Sequence, residues 1–364
     1  MTTQQTDDEV DEIEGLDDKF DDSLGDYPID TVLIRNETRT VHEILRRIGQ
    51  GKYVMNPDFQ RDFIWTDDKQ SKLIESVLMR IPLPVFYLAE DYEGQMIVVD
   101  GLQRLFTFQR FVDNKLRLKL PDNAALNGQR FRDLSPKLQN RVEDCNLILY
   151  VIDAKVAERA RLDIFDRVNS GVPLTKQQMR NSLYMGAATK FLKEEATSEI
   201  FLKSTGKSLR TTTMRDREFV NRFCAFQILQ FTDYKGDMDD YLAEALRKMN
   251  DLKAEDLKGL SAQLRLSLAN NLNLFGEHAF RKHDMYQDRR NVINASLWDV
   301  MSTEFSKRTE KAVIPRSKAL RAAFHELMAD DKFINSITYA TNGAKSVRHR
   351  FNTAAAVFQR VFDD

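Results

Sequence analysis

Cysteine is scarce in this sequence: Cys145 and Cys224 are the only two in 364 residues. Two thiols so far apart exclude a disulfide framework and a cysteine-built zinc site, and they fit a reduced, intracellular chain. Long apolar runs are missing as well. None approaches the ~20 residues that a membrane span needs, so no membrane partner is expected. The N-terminus lacks the basic-then-apolar order of a secretion signal, which predicts a cytoplasmic location. The five histidines are scattered. His278 and His283 in "HAFRKHD" do not have zinc-protease spacing, and an exposed helix is their expected setting. No Gly-x-Ser-x-Gly elbow occurs. "STGKS" at Ser204–Ser208 has the tail of a P-loop, but Phe201 stands where that pattern needs glycine, so it is set aside as a decoy.

What is abundant is charge, and it is unevenly placed. The net is −2, yet residues 1–30 hold twelve Asp/Glu and one Lys, leaving 53 basic and 44 acidic residues in the rest. A first stretch of residues 1–29 with few apolar groups is expected to be a disordered acidic tail. It is either a solubilising tail or a competitor of phosphate backbones for the basic body.

Structure is expected from Asp30. "TVLIRNETRT" reads as a strand and "VHEILRRIGQGKYV" as a short helix. "MNPDFQRDFIW" reads as a loop. Thr66 is placed to cap a helix over "TDDKQSKLIESVLMR". Pro82 and Pro84 give an extended lead-in to the strand "VFYLAE". "MIVV" is a short, wholly apolar strand of central type, and a helix over Leu102–Val112 follows at once. "NLILYVID" is a strand, "KVAERARLDIFDRV" a helix, and Thr175 and Gln178 have capping-box spacing for the next one. Beyond residue 180 the pattern is almost wholly helical, with Phe219, Phe223 and Phe226 on one face. This predicts an α/β domain over residues 30–180 and a helical domain over 181–364.

The segment "VVDGLQRLF" puts a cation, Arg104, in the first turn of a helix, where the partial charge has the wrong sign for it. Two readings stay open. Asp100 and Arg104 are four apart in the favourable order and can simply pair. Alternatively, Gly101 and the free N–H groups of the helix start, with Arg104, form a phosphate cradle. "FQR" at Phe59–Arg61 and "FDRVNSG", with Arg167 and Asn169, are further polar clusters at element boundaries of the same domain.

In order, "NPDFQRDFIW", "IPLPVFYLAE", "VVDGLQRLFTF", "IFDRVNSGVPLT" and "MRDREFVNRFCAF" resemble the N-terminal domain family of GmrSD-type restriction enzymes, over roughly Asp30 to Phe226. The resemblance implies an α+β chain: a ParB/sulfiredoxin-like N-terminal α/β domain followed by an α-helical C-terminal domain. It implies NTP binding and hydrolysis, with Mg²⁺, in restriction or anti-phage defence. Asp100, Gly101, Gln103 and Arg104 match the family's Asp-Gly-Gln-Gln-Arg motif, with Leu102 in place of a Gln. Gln60 and Arg61 match its upstream Gln-Arg, and Arg167, Asn169 and Gly171 its third block. Carried over, Arg104 holds phosphate oxygens, Gln103 orients phosphate or water, and Asp100 caps the helix or holds Mg²⁺ through water. Gln60, Arg61, Gly101, Arg167 and Asn169 complete the nucleotide site. The implied partners are DNA, including modified or phage DNA, an HNH-type nuclease in a separate chain, and a second copy in a homo-oligomer. A non-hydrolysing nucleotide or DNA sensor is the alternative reading.

Overall fold

The computed structural model describes residues 13–16, 34–55, 65–91, 93–156, 158–168, 175–283 and 289–363. They form two compact units, one of residues 23–183 and one of residues 1–22 with 184–364. The first strand, β1 (Ile13–Glu14), belongs to the second of these.

The α/β unit begins with β2 (Ile34–Thr40) and α1 (Val41–Gly49). Thr40 ends the strand and caps the helix, its hydroxyl accepting from the Glu43 N–H. After β3 (Tyr53–Val54), Thr66 caps α2 (Asp67–Leu78) in the same way, and Asp67 and Asp68 favour the helix start. Then come β4 (Phe86–Glu90), β5 (Met96–Asp100), α3 (Leu102–Val112), α4 (Pro136–Glu143), β6 (Asn146–Ile152), α5 (Glu158–Val168) and α6 (Lys176–Leu183). The sheet order is β2-β6-β4-β5-β3. β2 is antiparallel to β6, β4 is parallel to β6 and antiparallel to β5, and β3 is parallel to β5. β5 is therefore internal, as its unbroken apolar run requires. Residues of α1–α4 bury Ile44, Ile74, Val77, Leu105 and Phe108 with Leu147, Leu149 and Val151 of β6 in one core.

This topology sorts the strand ends. The C-terminal ends of β3 and β5 and the N-terminal ends of β4 and β6 all lie at one end of the sheet. The Asp100–Gly101 turn, the Pro82–Val85 lead-in and the chain leaving Val54 meet there.

The other unit is helical: α7 (Ala187–Ala196), α8 (Glu199–Thr205), α9 (Arg215–Ile228), α10 (Met238–Asp251), α11 (Ala254–Phe275), the strand β7 (Ile293–Asn294), α12 (Ala295–Ser306), α13 (Glu310–Val313), α14 (Ser317–Ala329), α15 (Asp331–Thr338) and α16 (Ala344–Asp363). Phe219, Phe223 and Phe226 of α9 lie in its core with Trp298, whose indole N–H donates to the Phe219 carbonyl at 2.7 Å. A fully buried ion network crosses that core. Asp299 accepts from Arg222 at 2.8 and 2.6 Å and from Arg350 at 3.1 Å.

One expectation gives way here. Residues Ile13–Leu16 of the acidic stretch are placed on the helical unit, with β1 pairing in parallel to β7. Ile13 and Leu16 are the reason, since both pack against the helical core.

Candidate functional site

The turn from β5 into α3 needs a glycine for two separate reasons. Gly101 has φ of 97°, a left-handed conformation that L side chains rarely adopt. A Cβ there would also stand 2.3 Å from Cδ1 of the fully buried Phe86. Gly101 is the N-cap of α3 and offers no side-chain hydrogen bond to the helix start. Among the described residues, no side chain caps the first-turn N–H groups of α3.

Arg104 turns inward. Its Nη2 donates to Asp100 Oδ2 at 2.8 Å and to the Val85 carbonyl at 3.1 Å, and its Nη1 donates to the Pro84 carbonyl. The guanidinium lies over the Phe86 ring, 4.2 Å from its centre. Burial pushes the Arg104 pKa down, and the Asp100 carboxylate opposes that shift. The cation at the wrong end of a helix is therefore compensated locally, by one carboxylate and two carbonyls of the Pro82–Val85 lead-in. The i,i+4 pairing was legible; the carbonyl acceptors, about twenty residues away, were not. These bonds use three of the five guanidinium N–H donors, so Arg104 helps to fix the backbone of the turn.

Gln103 reaches sideways. Its Oε1 accepts from the Trp65 backbone N–H at 3.1 Å. The Trp65 carbonyl accepts from Gln70 Nε2 at 2.5 Å, and Arg110 holds Gln70 at 2.8 Å and Asp67 at 3.2 Å. The end of the "FQRDFIW" block is thereby fastened to the head of α3. Gln60 and Arg61 lie outside the described residues. Their block is nevertheless bracketed: Val54 pairs with Ile97 of β5, and Trp65 hangs on Gln103.

Arg167 is exposed in the last turn of α5, while Asn169 and Gly171 lie outside the described residues. α5 starts at the far end of the sheet, where Arg161 Nη2 donates to the Glu90 carbonyl at 3.2 Å. The Thr175–Gln178 capping box forms, with bonds of 2.7 and 3.2 Å, and α6 packs on β5. A buried polar chain in α6 was missed: Arg180 donates to Gln177 at 3.1 Å, and Gln177 donates to Asn181 at 2.8 Å. The signal was there, in a helix with a polar run, "KQQMRN", too short of apolar residues to be buried by them alone.

At the same end of the sheet, a recess of about 400 Å³ is lined by Ile81, Pro82, Arg80, Lys137, Arg141 and Asp144, among others. Its cations outnumber its acid. Among the described residues, no group of three or more His, Cys, Asp or Glu side chains could hold a metal ion, and no helix is long and apolar enough to cross a membrane.

Two features of the helical unit can be settled. The "STGKS" stretch is a helix stop: Ser204 and Thr205 donate back to the Ile200 and Phe201 carbonyls at 2.7 and 2.8 Å, and Gly206 is the left-handed C-cap of α8. His278 and His283 are not on an exposed helix. Both are half-buried beyond the end of α11, their ring centres 5.0 Å apart, and His283 stacks on Phe324 at 4.7 Å. The aromatic residues Phe275 and Phe324, far apart in sequence, draw His283 in.

Residues 41–185 match the family model described as GmrSD restriction endonuclease, N-terminal domain. The match runs from α1 to just beyond α6 and contains Asp100–Arg104 and Arg167. It is narrower than the Asp30–Phe226 stretch that carries the motif resemblance, and "MRDREFVNRFCAF" falls outside it. No curated protein and no solved structure matches the chain.

Proposed function

We propose, on the premise that residues 41–185 are a domain of the GmrSD restriction endonuclease N-terminal family, that this chain is a nucleotide-dependent component of a DNA restriction or phage-defence system. The observation that carries the reading is the head of α3. A helix start with no side-chain cap among the described residues, opened by a left-handed glycine, is joined through Gln103 to Trp65, at the end of the "FQRDFIW" stretch. Backbone N–H groups at such a start favour a phosphate. Arg61 and Arg167 are the cations proposed to reach it, with Gln60 and Asn169 beside them. Arg104 shapes the turn from beneath by fixing Asp100 and the Pro84–Val85 backbone.

The residues fit an NTP carried with Mg²⁺. Asp100 has a side chain 37% exposed beside the helix start. Such a metal takes one or two protein carboxylates and completes its shell with phosphate and water. When bound, Mg²⁺ would neutralise phosphate charge there. This chain's residues do the rest: α3 orients the anion, Gln103 stands next to it, and Asp100 keeps an acceptor at its edge. Leu102, where the family has Gln, is in the core and only 9% exposed. Leu102 thus brings no polar group to the site, and it favours the second reading, a nucleotide sensor that does not hydrolyse. Cleavage of DNA is assigned to a separate nuclease chain.

The test is titration of fluorescent NTP analogues into the full chain, followed by phosphate release with and without duplex DNA. Saturable binding that Arg167→Ala and Arg61→Ala weaken by about tenfold each supports the site, a tenfold loss being one charge-assisted contact. No binding of any NTP overturns it.

A further inference from the structure

We propose that the recess between the end of α2 and α4 is a seat for a phosphate of a DNA strand, gripped by Arg80, Lys137 and Arg141. The inference rests on the DNA part of the reading above and is independent of the nucleotide site at α3.

The three cations line one recess of about 400 Å³, so they converge on one place. Lys137, Asn140, Arg141 and Asp144 stand at i, i+3, i+4 and i+7 along α4 and its C-cap, and one helix face is thereby turned to the recess. Val77, Arg80 and Ile81, at the end of α2, form the facing wall. Three positive charges thus meet a single carboxylate, that of Asp144. None of Arg80, Lys137 and Asp144 has an ion pair among the described residues, and the side chains of Asn140 and Asn146 make no hydrogen bond among them.

Each cation has to be weighed against a structural role. Arg141 has one. Its Nη1 donates to the Leu78 carbonyl at 2.8 Å and closes the end of α2, which uses one of its five N–H donors. Lys137 has none: it lies in the first turn of α4, where the helix dipole disfavours a cation. Arg80 occupies a position made for glycine. Its N–H donates to the Val77 carbonyl and the Ile81 N–H to the Ser76 carbonyl, both at 2.9 Å, the paired bonds of a Schellman stop. Its φ is 62°, the left-handed conformation that such a stop imposes. Glycine there would be free of the strain that an arginine Cβ carries. A helix stop does not explain a long cation held at a strained position over a basic recess, and a bound anion does.

The anion is part of a strand rather than a free ion. Apolar side chains stand beside the charges: Met79 is 64% and Ile81 47% exposed, and Pro82 is exposed next to them. A phosphate within a strand brings sugars to cover such groups. Burial pushes the thiol of Cys145, in the same recess, up in pKa, so it is a neutral part of the lining. Contacts of this kind position a strand and carry no sequence preference.

The experiment titrates fluorescent duplex DNA into the full chain and into its Arg80→Gly, Lys137→Ala and Asp144→Asn variants from about 50 to 200 mM salt, after melting curves confirm folding. Arg80→Gly is expected to melt no lower than the wild type, because it relieves the stop, and yet to bind roughly three- to tenfold more weakly at low salt. Lys137→Ala should weaken binding similarly, and each of the two should lower the log–log salt slope by about 1, at ~0.9 per phosphate contact. Asp144→Asn, which removes the one acid, should tighten binding ~2–3-fold. Duplex should also slow modification of Cys145 by N-ethylmaleimide, Cys224 being fully buried. Equal slowing by inorganic phosphate would make the recess a free-anion site and overturn the strand. Unslowed modification, or unchanged affinity and slope in Arg80→Gly and Lys137→Ala, overturns the seat and leaves the DNA reading standing. Absence of DNA binding by the full chain overturns that reading, and this inference with it.

Discussion

Arg104→Ala measures whether the turn is held together as described. The substitution removes three hydrogen bonds from a charged donor and the stacking on Phe86. It leaves the Pro84 and Val85 carbonyls without their partner, and such orphaned groups cost about 1–3 kcal/mol each. Against this stands the relief of a buried cation's desolvation. Asp100 is more than a third exposed, so its share of the ion pair is discounted for solvent screening. The net is a loss of ~2–4 kcal/mol, compared with at most ~0.5 kcal/mol for a surface i,i+4 pair. Arg104→Lys should recover about half of it, because an ammonium cannot serve three acceptors in the plane of a fork. The assay is urea unfolding followed by tryptophan fluorescence in a Trp298→Phe background. Trp65, which hangs on Gln103 beside Arg104, is then the reporter. A change below ~0.5 kcal/mol without nucleotide, together with lost NTP binding, would refute the positioning role and return Arg104 to the phosphate.

Gly101→Ala should cost ~2–4 kcal/mol, from ~1–2 kcal/mol of left-handed strain plus the contact with Phe86, and unfolding by urea will show it; a loss under ~1 kcal/mol would mean the turn relaxes freely. Asp216, only 3% exposed in the first turn of α9, has its pKa raised from 3.8 to about 6, chiefly by burial, with the Arg217 N–H and charge opposing. The folded state therefore keeps a proton that the unfolded state loses, so this group's contribution is full below about pH 4 and lost as pH rises through about 6. Asp216→Asn should accordingly raise stability at pH 7 by ~1–3 kcal/mol and leave it unchanged near pH 3.5, which melting curves at the two pH values will check.

Local chemistry was readable from the sequence and long-range chemistry was not. Thr66, Thr175 and Gln178 act within three residues of themselves, and their caps formed as their spacing dictates. The Asp100–Arg104 pair is equally local. The carbonyls that complete it belong to Pro84 and Val85, which carry no side-chain signal. The Arg222–Asp299–Arg350 network is more remote still, its members separated by 77 and 51 residues. Arg222 had been visible only as one letter of a motif. His283 was misplaced because the rings that draw it in, Phe275 and Phe324, come from two other segments. Ile13 and Leu16 were hidden by composition, being two apolar residues amid acids whose partner strand lies at Ile293.

That last pairing has a consequence for biosynthesis. The helical unit takes its first strand from before the α/β unit and its partner strand from long after it. The α/β unit can close once Leu183 has emerged from the ribosome. Ile293 follows after another 110 residues, which at ~5–20 residues per second is roughly 5–20 s later. Throughout that interval the acidic leader precedes a finished α/β unit with no β7 to receive it. Docking of Ile13–Leu16 is therefore among the last events of maturation, and a chain truncated before β7 carries its acidic segment undocked.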